Sequence, residues 1–108
     1  HKFFNMAKYI TFDTANDGNV HLATDGILYA ETTSSTAGTI FLKGGSHKFT
    51  VTGTGLTSGF GANVNAALVQ AAETSWTNAA IPVSTSGGLL VFTSVAVATI
   101  KYYLFIRY

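Results

Sequence analysis

Lys48-Phe49-Thr50-Val51-Thr52-Gly53-Thr54-Gly55-Leu56-Thr57-Ser58-Gly59-Phe60-Gly61-Ala62-Asn63-Val64-Asn65-Ala66-Ala67-Leu68-Val69-Gln70-Ala71-Ala72 changes its hydrophobic period partway along. Up to Thr52, Phe49 and Val51 share one side while Lys48 and Thr50 take the other. That spacing of two belongs to a strand. From Phe60 onward the apolar positions are Phe60, Val64, Ala67, Leu68, Ala71 and Ala72, with Ser75 after them. Three- and four-residue spacing belongs to a helix, and alanine has the highest helix propensity. The pattern predicts one amphipathic helix from about Phe60 to Thr74, ending before Asn78. Ser58 or Asn63 suits its N-cap, where a side-chain oxygen accepts from a free amide. A narrow Ala, Val and Leu stripe packs closely on a sheet.

Upstream, alternation and turn residues mark further strands. Lys8 to Thr14 alternates, and Ala15-Asn16-Asp17-Gly18-Asn19 then forms a dense turn signal. Val20 to Ala23 alternates again. Asp25-Gly26 signals a tight hairpin, since glycine accepts the positive φ such turns need. Ile27 to Glu31 reads as a third strand, Thr32 to Gly38 as a loop, and Thr39 to Leu42 as a fourth strand. Lys43-Gly44-Gly45-Ser46 turns the chain into its return partner, Lys48 to Thr52. The first half thus predicts an antiparallel meander of about five strands.

Downstream, Ile81-Pro82-Val83-Ser84 is extended, and Pro82 places it at an edge or a strand start. Gly87-Gly88 turns the chain. Leu89 to Ala98 and Tyr102 to Tyr108 read as two more strands. A membrane helix over this apolar stretch is disfavoured by Val91, Thr93, Val95, Val97 and Thr99, and by Lys101 within the span. The fold class expected is α+β, β-dominated: a meander, one helix packed on the sheet, then two or three further strands.

The 108 residues amount to about one domain. Residues 1–5 precede Met6-Ala7-Lys8, which reads like a translation start, so 1–5 are expected to be an extension and 6–108 a single domain. Charged residues make up 10%, against about 25% in typical soluble domains. Six Lys and Arg face five Asp and Glu. That balance gives no basic footprint for nucleic acid and only weak repulsion between copies. With no cysteine, disulfides and thiolate chemistry are excluded.

The candidate chemical motifs are weak. Thr54-Gly55-Leu56-Thr57-Ser58-Gly59-Phe60-Gly61 fits the glycine spacing of a dinucleotide phosphate loop. The hairpin-linked strands before it oppose that reading, as does the absence of a Tyr-x-x-x-Lys pair. Asp13-Thr14-Ala15-Asn16-Asp17-Gly18 has Ala15 where a calcium loop needs an oxygen ligand and Thr24 in place of its bidentate Glu. His21 and His47 have no second ligand at metal spacing. No nucleophile elbow is present, and the five acids form no close sequence pair for acid–base work. Neither an enzyme nor a cofactor is expected. Trp76 suits a plug at the end of the helix–sheet core or an anchor at an interface. Tyr102, Tyr103, Phe105 and Tyr108 form an aromatic cluster. Alternation directs part of it outward, where such a strand pairs with another chain. The expected interface residues are Trp76, Tyr102, Phe105 and Tyr108.

Met6-Ala7-Lys8-Tyr9-Ile10-Thr11-Phe12, Leu42-Lys43-Gly44-Gly45, Ala67-Leu68-Val69-Gln70 and Thr74-Ser75-Trp76-Thr77-Asn78 together resemble small, uncharacterised proteins of marine bacteriophages, of the cyanophage kind. The resemblance covers roughly residues 6–98. It implies a phage origin, a virion or assembly role, and a place in the virion or host cytoplasm. It supplies no catalytic or binding residue. The expectation is a non-enzymatic structural protein that acts by homo-oligomerisation, possible partners being other virion proteins, without nucleic acid or membrane. The alternative is a small glycan- or peptide-binding module using loops 32–38 or 53–61.

Overall fold

The computed structural model describes residues 8–73 and 80–99. Eight elements follow in order: β1 (Tyr9–Thr14), β2 (Gly18–Ala23), β3 (Ile27–Thr32), β4 (Ala37–Leu42), β5 (His47–Thr54), α1 (Phe60–Glu73), β6 (Ala80–Pro82) and β7 (Val91–Thr99). The domain is β-dominated, with one helix packed on a curled, mixed sheet. The expected helix begins at Phe60, where the period changes. Its described part ends at Glu73, and Thr74 and Trp76 lie outside the described residues.

The five-strand meander is corrected. The sheet order is β2-β1-β7-β5-β4-β3, with β6 paired to β1. β1 and β2 form one antiparallel hairpin, and β3, β4 and β5 form a separate meander. β7 enters between them, antiparallel to β5 and parallel to β1. The late strands are therefore central to the sheet. Tyr102 to Tyr108, the other expected late strand, lies outside the described residues.

Asp25-Gly26 is where local reading fails. Thr24–Gly26 forms one 3-10 turn, and Gly26 does not take the positive φ of a tight hairpin. On one side, Thr24 donates its amide to Lys8 O at 2.9 Å, prolonging the β1–β2 ladder. On the other, Gly26 O accepts from Lys43 at 2.9 Å, prolonging β3–β4. Three residues thus carry the chain from one margin of the sheet to the other. So short a link requires the sheet to curl, since an extended residue spans only about 3.3–3.6 Å.

β6 and β7 share one lane beside β1. Tyr9, Ile10 and Thr11 pair with Ala80, Ile81 and Pro82, and Thr14 pairs with Phe92. Between them the chain leaves the lane after Val83, whose amide still donates to Thr11 O at 2.9 Å, and returns at buried Leu90. Asn63 on the helix holds that excursion, its amide donating to Ser84 O at 3.1 Å and Ser86 Oγ at 2.7 Å.

The core lies between the concave face of the sheet and α1. Ile10, Phe12, Ile40, Val51, Leu56, Phe60 and Val64 have no exposed surface. The helix buries Phe60, Gly61, Val64, Ala67 and Ala71, while Ala72, placed on the stripe by spacing, is exposed. Phe60 lies directly on Gly38 of β4, and a Cβ there would overlap its ring. Gly38→Ala is therefore expected to cost about 1–3 kcal/mol by overpacking. Combined with Phe60→Leu, it should cost less than the two single losses added. Denaturant unfolding of the four proteins measures this, and simple additivity would show that the contact does not limit the core.

Candidate interaction surface

The helix start is built from a distant side chain. Thr32 Oγ1 accepts the Gly61 amide at 3.0 Å, and Gly59 O accepts from Asn63 at 2.8 Å. Neither expected cap serves in the expected way: Asn63 turns its side chain to the 83–90 segment, and Thr32, at the end of β3, takes the capping role. This also bears on the glycine-rich stretch. Its helix amide at Gly61 is occupied by a protein hydroxyl. The strands before and after the helix, β5 and β6, run in opposite directions by way of β7 and β1. A dinucleotide fold needs them parallel.

At the other end of the helix, Lys8 Nζ donates to Ala71 O at 3.0 Å. A cation there meets free carbonyls and the negative end of the helix dipole. Both helix ends are thus tied to the sheet, by Thr32 and by Lys8.

The calcium-like segment is a turn organised by Thr14. Its hydroxyl donates to Gly18 O at 2.8 Å and accepts the Asp17 amide at 3.0 Å. Asp17 Oδ2 accepts the Val95 amide at 3.3 Å. The carboxylate therefore caps β7 at the point where β1 stops pairing with it. His21 Nδ1 lies 2.8 Å from Thr11 Oγ1, and its ring meets Tyr9 edge-on. His47 Nδ1 lies 3.1 Å from Ser46 Oγ. Among the described residues, no three His, Asp or Glu side chains gather as a metal site requires. The described residues enclose no pocket. None of their helices is long and apolar enough to cross a membrane.

The two loops expected to bind glycan or peptide do meet. Ser35 O accepts from Leu56 at 2.9 Å and Thr36 O accepts from Gly53 at 3.0 Å. Their polar groups are thereby turned toward each other. Trp76, Tyr102, Phe105 and Tyr108, the expected interface, lie outside the described residues.

The described surface also carries large apolar side chains. Leu28, Tyr29, Val69, Leu89, Val91 and Val97 are all exposed. Tyr29 stacks on Phe41 across the outer face, with ring centres 5.0 Å apart. Backbone groups left without a partner strand are closed differently on β3, at the margin of the sheet, and on β7, within it. On β3, the Asn65 amide closes both backbone groups of Ala30, accepting its N–H at 2.9 Å and donating to its O at 3.0 Å. The helix thus acts as a substitute strand there. On β7, pairing with β1 ends at Phe92, and Asp17 closes only the next outward amide, Val95. Among the described residues, no strand flanks β7 from Ala96 to Thr99 on the side away from β5. This edge was missed in the sequence because Leu89 to Ala98 reads as a core strand.

No protein-family model matches this chain, no curated protein matches its sequence, and no solved structure matches its fold. Asn65→Ala would leave the Ala30 backbone groups without their partner. The expected loss is about 1–3 kcal/mol, the cost of unsatisfied polar groups. A lower urea midpoint at unchanged slope measures it. A midpoint equal to the wild type would mean that solvent replaces the amide freely.

Proposed function

We propose that this chain is a non-enzymatic structural or assembly protein, phage-derived and virion-associated, that works by associating with copies of itself. The observation that carries the reading is a surface with large apolar side chains, Val97 at 62% and Leu28 at 58% exposure among them, on a chain with 10% charged residues. Apolar surface left in water favours contact between proteins. Near-zero net charge removes the long-range repulsion that keeps copies apart. The virion setting rests on the resemblance to small marine-phage proteins.

The binding-module reading is less well supported. Loops 32–38 and 53–61 spend Ser35 O, Thr36 O and the Thr32 hydroxyl on each other's elements. That leaves fewer convergent groups for a glycan, whose recognition needs several placed donors and acceptors.

Light scattering coupled to size-exclusion chromatography tests the proposal. The expected mass at about 100 μM is at least twice that of the chain, falling on dilution as for a modest interface. A concentration-independent monomer would overturn self-association. A virion preparation containing the chain would support its setting.

A further inference from the structure

Resting on that self-association reading, we propose that two copies of the chain exchange their β1–β2 hairpins, with Thr24–Gly26 as the hinge. Each hairpin then fills in the other copy the place it holds in its own. The chain path allows this through one opened link. The hairpin, Tyr9–Ala23, precedes the link, and β3, β4, β5, α1, β6 and β7 all follow it.

The hinge is set for the change. Ala23, at φ −66° and ψ 130°, and Ile27, at φ −97° and ψ 133°, are already extended on either side of the 3-10 turn. Neither Thr24, Asp25 nor Gly26 takes a positive φ. Extending these residues joins β2 and β3 into one strand from Gly18 to Thr32, through backbone states open to any residue. Inside the link, opening breaks the bond from Ile27 N–H to Thr24 O. The bonds at its two ends survive. Thr24 N–H to Lys8 O lies wholly on the hairpin side, Lys43 N–H to Gly26 O wholly on the meander side, and each continues a strand ladder. Within one copy the same short link must hold two margins of the sheet together. Extension in a dimer lifts that requirement, and short hinges favour exchange for this reason.

The exchanged surface identifies the partner. The hairpin presents Ile10, Phe12 and Leu22, all buried. Phe12 packs against Phe60 and Phe92, and Ile10 pairs with Ile81. Around this seat, Ala15 and Asn16 donate to β7, Val83 donates to Thr11 O, Asp17 accepts from Val95 and Lys8 donates to Ala71 O. Every one of these contacts joins a residue before the link to one after it. Exchange therefore reforms each of them between copies and loses none. Only a second copy of this chain carries that surface. With a single ladder pair between β1 and β7, the seat is held chiefly by apolar packing, which is indifferent to the copy that supplies the hairpin. A net charge of +1 opposes the approach of two copies only weakly.

Tyr9 on β1 and Ala80 on β6 pair across the seat, and both are exposed. The chain contains no cysteine, so introduced thiols report which copy supplies the hairpin. A full chain carrying Tyr9→Cys and another carrying Ala80→Cys are refolded together at high concentration and mildly oxidised. They are expected to give about tenfold more disulfide-linked dimer than either chain refolded alone, since exchange sets the two positions within bridging distance. A Gly-Ser-Gly insertion after Asp25 lengthens the link and is expected to shift the light-scattering mass of the refolded protein toward monomer. If the wild type associates, the mixed thiols cross-link no more than each chain alone and the insertion leaves the mass unchanged, exchange is overturned and self-association through another surface stands. If the wild type is monomeric after refolding at high concentration, both readings fall.

Discussion

Phe12, Phe60 and Phe92 meet at the one place where the sheet is weakly joined by hydrogen bonds. β1 and β7 share a single ladder pair, Thr14 with Phe92, extended only by Ala15 and Asn16 donating to Phe92 O and Thr93 O. Across that junction the ring of Phe12 lies edge-on to Phe92 with centres 5.1 Å apart, and Phe60 of the helix lies 6.3 Å from both. Burying three phenylalanines contributes several kcal/mol, far more than the net value of one or two hydrogen bonds. Apolar packing therefore makes one sheet of the β1–β2 hairpin and the β3–β4–β5 meander. Gly38 belongs to the same contact, since only a residue without Cβ lets Phe60 reach the sheet there.

From this joint the other features follow. The helix must lie over β1 and β3 to deliver Phe60, so Asn65 falls against the margin at Ala30 and Lys8 reaches Ala71. The 84–89 excursion follows as well. β6 and β7 occupy the same side of β1, but Phe92 must enter the core beside Phe12. Residues 84–89, between buried Val83 and Leu90, are displaced outward and held by Asn63. Gly53 marks the other side of the junction: its Cα faces the Val91 carbonyl so closely that a side chain would strike backbone, and the β5–β7 register shifts there.

The strands and the helix were legible because alternation and helical spacing are local signals. β1 alternates in burial as its sequence does, Ile10, Phe12 and Thr14 being inside. Strand order was not legible, because it depends on contacts far apart in sequence. Asp25-Gly26 carries hairpin chemistry, yet its neighbours pair with β1 on one side and β4 on the other. Thr32 and Asn65 are ordinary polar residues in the sequence. Their roles exist only once β3 lies beside the helix. No local pattern marks a capping hydroxyl that comes from 29 residues away.

The stretch of β7 past Val95, which among the described residues pairs with β5 alone, has the same non-local origin. Nothing within Val91–Thr99 distinguishes a strand flanked on both sides from one flanked on one, since Val, Ala and Thr suit either place. The difference is made by β1, which ends at Thr14, and by the turn that follows. Asp17 can reach Val95 only because Thr14 shapes that turn, so the side chain that ends one ladder also closes the last outward amide of β7 that the turn can reach. A longer β1 would have paired with β7 to its end and enclosed Val97. The short hairpin instead leaves a β-branched, uncharged strand with half its hydrogen-bonding groups directed outward. Termination of β1 thus decides how much of β7 is core and how much is surface. In that sense the exposed part of β7 is a consequence of the fold and not an addition to it.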